Sequence, residues 1–436
     1  MNRAFPAPAV AGGAADPTDR GRTASPPSLA RAGIVVAVAM ALGNAMNYGY
    51  HVVMSRELGP SSYGGLGALL AVTFIVTVPG LALQTVVARH TALRRRDGEE
   101  VRSLWVGVLR IVILVGLALA AAAAAASPWI KGFLHLGSIV PVMWLSVTLL
   151  VAPVVPAVSG MLQGQERFTA LAAILLVSTF GKLVLGAAFV WLGLGLDGAL
   201  AGAAGGALLA CLAGVWIVYP GVLGGRMTWG LIREIAAAGA GILALFVIVN
   251  VDIVLARHFL PRRLSGLYAV GSVVAKITYW APRFVTVVVF PRLSTSRDRR
   301  ALLARSFLAI VALCLVVVVA VGLASQPLLN AVFGRAYGGL GSALWLFAAI
   351  GTAFALVHLL LFSAIAAGDP RMSRALAVAV VMKTTLVVVL LHHSVIQIAW
   401  VVFVTGVTMI FVGLLLERRR APIPSETVTA AEVVAG

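Results

Sequence analysis

The sequence predicts an all-α integral membrane protein of about twelve transmembrane helices, with both termini in the cytoplasm. Three observations carry this. Of 436 residues, 61% are hydrophobic and only 11% charged, and the mean hydropathy is +1.03. A soluble domain of this size cannot hide that much apolar surface, so the solvent must be lipid. The apolar residues also fall in continuous runs rather than alternating, which excludes a β-barrel. Finally, the charges lie mostly in short segments between the runs, where they set topology. A net charge of +18 would suggest nucleic acid in a soluble protein. Here the placement of the cations accounts for it, and no nucleic acid partner is expected.

Crossing the hydrocarbon core takes about 20 apolar residues. The runs that qualify lie near 33–55, 64–88, 104–126, 139–162, 171–193, 198–220, 233–257, 266–290, 303–324, 342–367, 373–391 and 396–417. The first is too long for a signal-peptide core and is followed by further spans, so it reads as a membrane helix. Residues 1–31, rich in Ala, Pro, Gly, Ser and Arg, read as a disordered cytoplasmic tail. The polar end 421–436 reads as a second one.

With the N-terminus inside, cytoplasmic loops and tails hold 22 of the 33 Lys and Arg, in dense clusters at 89–102 and 292–305. The opposite side holds Arg56, Lys131, Arg257, Arg262, Arg263 and Arg335. That asymmetry sets the orientation, in a multi-pass protein of the cell (inner or plasma) membrane. The two cysteines, Cys211 and Cys314, fall inside apolar runs and read as small core residues. No metal-binding spacing is present, so no metal site is expected.

An internal repeat divides the chain. Residues 51–69, HVVMSRELGPSSYGGLGAL, match 252–270, DIVLARHFLPRRLSGLYAV, at an ungapped offset of 201. Arg56 meets Arg257, Pro60 meets Pro261, and Gly65 meets Gly266. A weaker pair, 164–171 against 368–375, follows at offset 204. The expected organisation is two six-helix halves, 32–224 and 225–420, related as a parallel repeat. A binding site between such halves is a recurring transporter design.

Several stretches resemble one family. RELGPSSYGGLGALLAV (56–72) resembles the signature after the first helix of polysaccharide-biosynthesis, Wzx-like flippases of the multidrug/oligosaccharidyl-lipid/polysaccharide exporter superfamily. The segment 250–274, followed by VVVFPRLS (287–294), resembles their seventh and eighth helices. LLNAVFGRAYGG (328–339) and SAIAAGDPRMSRALAVAVV (363–381) resemble connections around their tenth helix. The resemblance implies two six-helix bundles in a V-shaped, MATE-like arrangement. It also implies alternating-access translocation of polyprenyl-diphosphate-linked oligosaccharide from inner to outer leaflet. Glycosyltransferases and a polymerase of the same pathway would then be partners, alongside membrane lipid. One departure stands out: the family often carries a cation near the start of the first span, where here the nearest is Arg31.

Charges within spans mark the candidate site, because each costs roughly 2.5–3.5 kcal/mol at the bilayer centre. Lys182 and Lys383 lie mid-span in the fifth and eleventh runs, again 201 apart, and Lys276 lies mid-span in the eighth, with Arg283 two turns on. They are candidates for a wet cationic cavity that holds a diphosphate. Arg110, near a span end, reads as snorkelling. Asp252 is the one acid well inside a span; its repeat partner is His51, and Asn250 stands beside it. It could couple transport to Na+ or H+, pair structurally with Arg257 or Lys276, or touch sugar. No other cofactor is expected.

Other readings are a lipid II flippase or a drug/cation antiporter of the same superfamily. The excess of intramembrane cations argues against the antiporter. A membrane enzyme would want a catalytic cluster on a long loop, and none of the loops is long enough, so no enzyme is expected. Pro79, Pro153 and Pro282 fall within spans and could kink them.

Overall fold

The computed structural model describes residues 26–97, 101–218, 229–282 and 299–419. Among them there is helix and no strand. Backbone hydrogen bonds closed within each segment are what the lipid solvent requires. The first half comprises α1 (Pro26–Thr77), α2 (Pro79–Arg96), α3 (Val101–Ala125), the short α4 (Ser127–Phe133), α5 (Val140–Val151), α6 (Val154–Gly164), α7 (Phe168–Phe189) and α8 (Gly195–Val218). The second comprises α9 (Trp229–Phe259), α10 (Arg262–Trp280), α11 (Arg299–Leu323), the short α12 (Ser325–Val332), α13 (Leu344–Ala366), α14 (Arg371–Val389) and α15 (Val395–Arg418).

Nine helical stretches among the described residues are long and apolar enough to cross a membrane. The difference from twelve lies in where the chain turns. Two stretches, Gly33–Arg96 and Phe168–Val218, each contain a reversal, and α10 falls outside the nine. In α1 the break is at Gly59, whose φ of 64° suits a residue without Cβ. His51 and Tyr63 would stand about 18 Å apart along a straight helix. Instead His51 Nδ1 lies 3.0 Å from the Tyr63 hydroxyl, so the chain doubles back between them. The second reversal uses Gly193 and Gly195, both at positive φ.

Prolines act where expected. One separates α1 from α2 at Val78–Pro79, and another separates α5 from α6 at Ala152–Pro153. Pro282 differs: α10 already ends at Trp280, and Ala281–Pro282 form a turn. At the N-terminus, helix begins at Pro26, inside the stretch expected to be a disordered tail. Residues 421–436 lie outside the described residues.

Large apolar side chains such as Leu114, Val316 and Leu323 are 64%, 69% and 85% exposed. Only a hydrocarbon solvent makes such faces favourable, and the chain is a multi-pass membrane protein. The main buried cluster joins both halves, with Tyr50, Tyr63 and Leu66 packed together with Tyr268, Val270 and Phe347. A second cluster lies within the first half, around Val87, Val108, Met161 and Ala210. The halves approach most closely where α1 crosses α10. A Cβ at Gly266 would collide with the Pro60 carbonyl, so the crossing needs a glycine there.

The repeat is visible in three dimensions. Arg56 and Arg257 each end the first helical rod of their half, just before Pro60 and Pro261. The weaker pair needs correction. The turn after α6 places Glu166 at positive φ, and the turn after α13 does the same with Gly368. Both turns carry the same pair of backbone bonds, Arg167 N to Leu162 O with Glu166 N to Gln163 O, and Asp369 N to Ala364 O with Gly368 N to Ile365 O. The structural offset is thus two residues shorter than 204, because this helix-ending turn fixes the register more tightly than the side chains do.

Candidate functional site

The three lysines do not form one equivalent set. Lys182, on α7, is half-buried. Its Nζ donates to Asn47 Oδ1 at 2.9 Å and stands 4.2 Å from the centroid of the Tyr50 ring. Tyr50 is held in turn by its hydroxyl, which donates to Ala199 O at 2.8 Å. An amide oxygen and a ring face solvate an ammonium without cancelling its charge. Lys383, on α14, sits 201 residues on and also reaches back 135 residues, to Ile248 O. There the likeness ends. Lys383 is 1% exposed, and its Nζ meets Asp252 Oδ1 at 2.8 Å. The Tyr268 hydroxyl donates to Asp252 Oδ2 at 2.7 Å. Asp252 therefore pairs with Lys383, not with Arg257 or Lys276. The i to i+5 spacing turns Arg257 away, and α14 packs against α9 where the acid sits.

His51 takes the Asp252 position in the first half and hydrogen-bonds Tyr63 across its hairpin, as Asp252 does Tyr268. Lys276, on α10, is half-buried and stands 5.3 Å from the Phe74 ring centroid. Lys182 and Lys276 come from opposite halves, yet they lie close enough to act electrostatically on each other and on His51. Among the described residues, Asp252 is ion-paired with Lys383, and neither Lys182 nor Lys276 makes an ion pair with a carboxylate.

Two cavities of about 20 Å³ each meet at Lys276. Each is the size of a single water molecule. One is lined by Asp252, Tyr268, Ser272 and Lys276; the other by Phe74, Asn250, Lys276 and Tyr279 among others. Asn250 is 2% exposed, and its Nδ2 donates to Phe246 O at 2.8 Å. Its Oδ1 has no donor among the described residues. A buried acceptor in that position calls for water or a ligand donor. Arg283 lies outside the described residues. Arg110 is exposed, as expected of a snorkelling residue.

Sequence reading missed Tyr268 and Phe74. Tyr268 was findable: it and Asp252 flank Pro261 about equally, which is where a hairpin brings two residues together. Phe74 carries no such signal, being one aromatic in an apolar run. Among the described residues no group of His, Cys, Asp and Glu could hold a metal ion.

A family model described as polysaccharide biosynthesis protein matches residues 29–297, more than half of the chain. No curated protein matches. Among solved structures, an inward-facing multidrug resistance MATE family transporter of the MOP superfamily superposes with a TM-score of 0.72 at 14% identity, covering 89% of this chain and 100% of its own. The lipid II flippase MurJ, in an inward closed conformation, gives 0.73 at 13% identity, covering 88% and 87%. A eukaryotic MATE transporter gives 0.65 at 13% identity, covering 91% and 96%. At this identity the likeness is one of fold, and the chain has the MATE-like fold.

Proposed function

The chain belongs to the polysaccharide biosynthesis protein family, and from that premise we propose that it is a flippase for polyprenyl-diphosphate-linked oligosaccharide. It carries an exopolysaccharide or O-antigen type of repeat unit from inner to outer leaflet of the cell membrane by alternating access. The observation that carries this reading is the half-buried pair Lys182 and Lys276, one from each half. Two uncancelled ammonium groups in a low-dielectric centre suit one ligand class, a compact polyanion such as a diphosphate. Each half contributes one cation, so rocking of the halves alters both contacts together. The apolar carrier chain stays in the bilayer while the glycan crosses between the halves. Lys383, already neutralised by Asp252, keeps α14 docked on α9. When substrate or an ion competes for either partner, this pair is where coupling to H+ or Na+ would act.

The same two cations disfavour export of cationic drugs. Lipid II shares the diphosphate, and the fold likeness to MurJ keeps a lipid II flippase as the second reading. Proteoliposomes loaded with a fluorescent lipid-linked oligosaccharide test the proposal through loss of inner-leaflet label. The wild-type chain accelerates that loss, and the Lys182→Gln, Lys276→Gln double variant does not. Equal rates in folded wild type and double variant would refute the assignment. Acceleration with lipid II alone would select the second reading.

A further inference from the structure

At the end of the bundle that carries Gly59 and Pro261, two arginines cross between the halves in opposite senses. Arg56, from the first half, donates through Nε to Val332 O at 2.9 Å and through Nη2 to Ala331 O. Those carbonyls close α12 of the second half. Arg257, from the second half, donates through Nε to Leu134 O at 2.9 Å and through Nη2 to His135 O at 3.4 Å. Those carbonyls follow α4 of the first half. Its Nη1 also reaches Ser61 O at 3.0 Å and Ser265 Oγ at 3.1 Å. Each arginine thus caps the short helix of the opposite half, and the two stand at equivalent positions of the repeat. The carbonyls at a helix C-terminus lack intrahelical donors and carry partial negative charge, which makes a guanidinium their natural partner.

The α4 end is shaped for this. Leu136 N bonds Lys131 O and His135 N bonds Gly132 O, with His135 at a φ of 50°. That turn aims the Leu134 and His135 carbonyls toward Arg257. His258 reinforces it, with Nδ1 2.8 Å from Phe133 O and its ring stacked on Phe133 at 4.1 Å. On the other side Tyr337 donates to Ser55 O at 2.9 Å, beside Arg56.

We infer that Arg56 and Arg257 form a reciprocal latch that holds this end of the transport path shut. The inference rests on the transporter reading above. Among the described residues, the acceptors of both arginines are oxygens without formal charge. Release therefore leaves no unpaired carboxylate buried, and water can hydrate both sides once the halves part. A carboxylate partner would bind more tightly and open less readily. Because each half donates one arm and receives the other, opening has to break both caps in one movement.

Paired spin labels at Ile139→Cys and Ala336→Cys, exposed at this end in opposite halves, report its width. They are placed in the full chain with Cys211 and Cys314 replaced by alanine, in lipid nanodiscs without cargo. Double electron–electron resonance should give one short distance for the otherwise native chain. Arg257→Gln should raise the ratio of long to short distances about tenfold, the equivalent of one charged hydrogen bond, and the Arg56→Gln, Arg257→Gln pair should raise it further. Unchanged distances in the folded double variant would overturn the latch. If Arg257→Gln fails to fold, Arg56→Gln decides alone, and native distances in that folded chain overturn it equally. Opened distances in variants of a chain that moves no glycan would uphold the latch and sink the flippase reading.

Discussion

Replacing Asp252 by Asn leaves the Lys383 ammonium buried without its counter-ion. The residue is 1% exposed, and a backbone carbonyl and a neutral amide would be its remaining acceptors. Breaking a buried ion pair from one side costs about 3–5 kcal/mol. With the amide oxygen kept on Lys383, the Tyr268 hydroxyl faces the amide NH2 and turns to accept from it, losing a charge-assisted bond worth roughly 1 kcal/mol. Lys383→Met should cost a similar amount by stranding the carboxylate, with only Tyr268 to support it. The double variant, with both charges gone, should recover most of the loss, since apolar replacement of a buried pair is often neutral. The expected coupling energy is therefore at least about 2 kcal/mol, where independent sites would add within about 0.5. Reversible unfolding in mixed micelles measures all four corners of the cycle. Additive losses, or a loss under about 1 kcal/mol for Asp252→Asn, would refute the argument that each charge is there for the other.

Three further outcomes follow from the same geometry. Lys182→Gln should weaken binding of a lipid diphosphate by about 10–100-fold, the worth of one charged hydrogen bond, and calorimetry in nanodiscs would read it. Gly266→Val should destabilise the chain by about 1–3 kcal/mol or block folding, because its branches run into the Pro60 carbonyl; thermal melting of the purified protein checks this. Glu417→Gln should cost about 1–3 kcal/mol. Glu417 pairs with Arg299 at 3.2 Å, both side chains are largely buried, and Arg299 also donates to Ser363 O at 2.8 Å; the same melting assay applies.

The fold was largely legible in the sequence because lipid imposes a single pattern, long apolar runs with cations between them. Helix covers nearly all the described residues of the twelve runs, and Pro79 and Pro153 break it where proline must. The repeat at offset 201 was equally legible, since Arg, Pro and Gly at a tight hairpin have few substitutes. Register was less legible where a left-handed turn could be met by Glu166 in one half and Gly368 in the other, two unlike side chains serving one backbone geometry.

Sequence alone also determined which residues deserved attention: Lys182, Lys276, Lys383, Asp252, His51 and Asn250, with Arg283, which lies outside the described residues. It could do so because a charge or amide within a membrane span is costly wherever it sits. It could not sort them. Lys182 and Lys383 are equivalent by position and differ in fate, because Asp252 faces one and its counterpart His51 leaves the other uncancelled. Which partner a buried charge finds depends on how α7 and α14 pack across α1 and α9, at distances of about 3 Å between residues more than a hundred apart in the chain. The linear order of residues holds no such distance; only the packed helices set it.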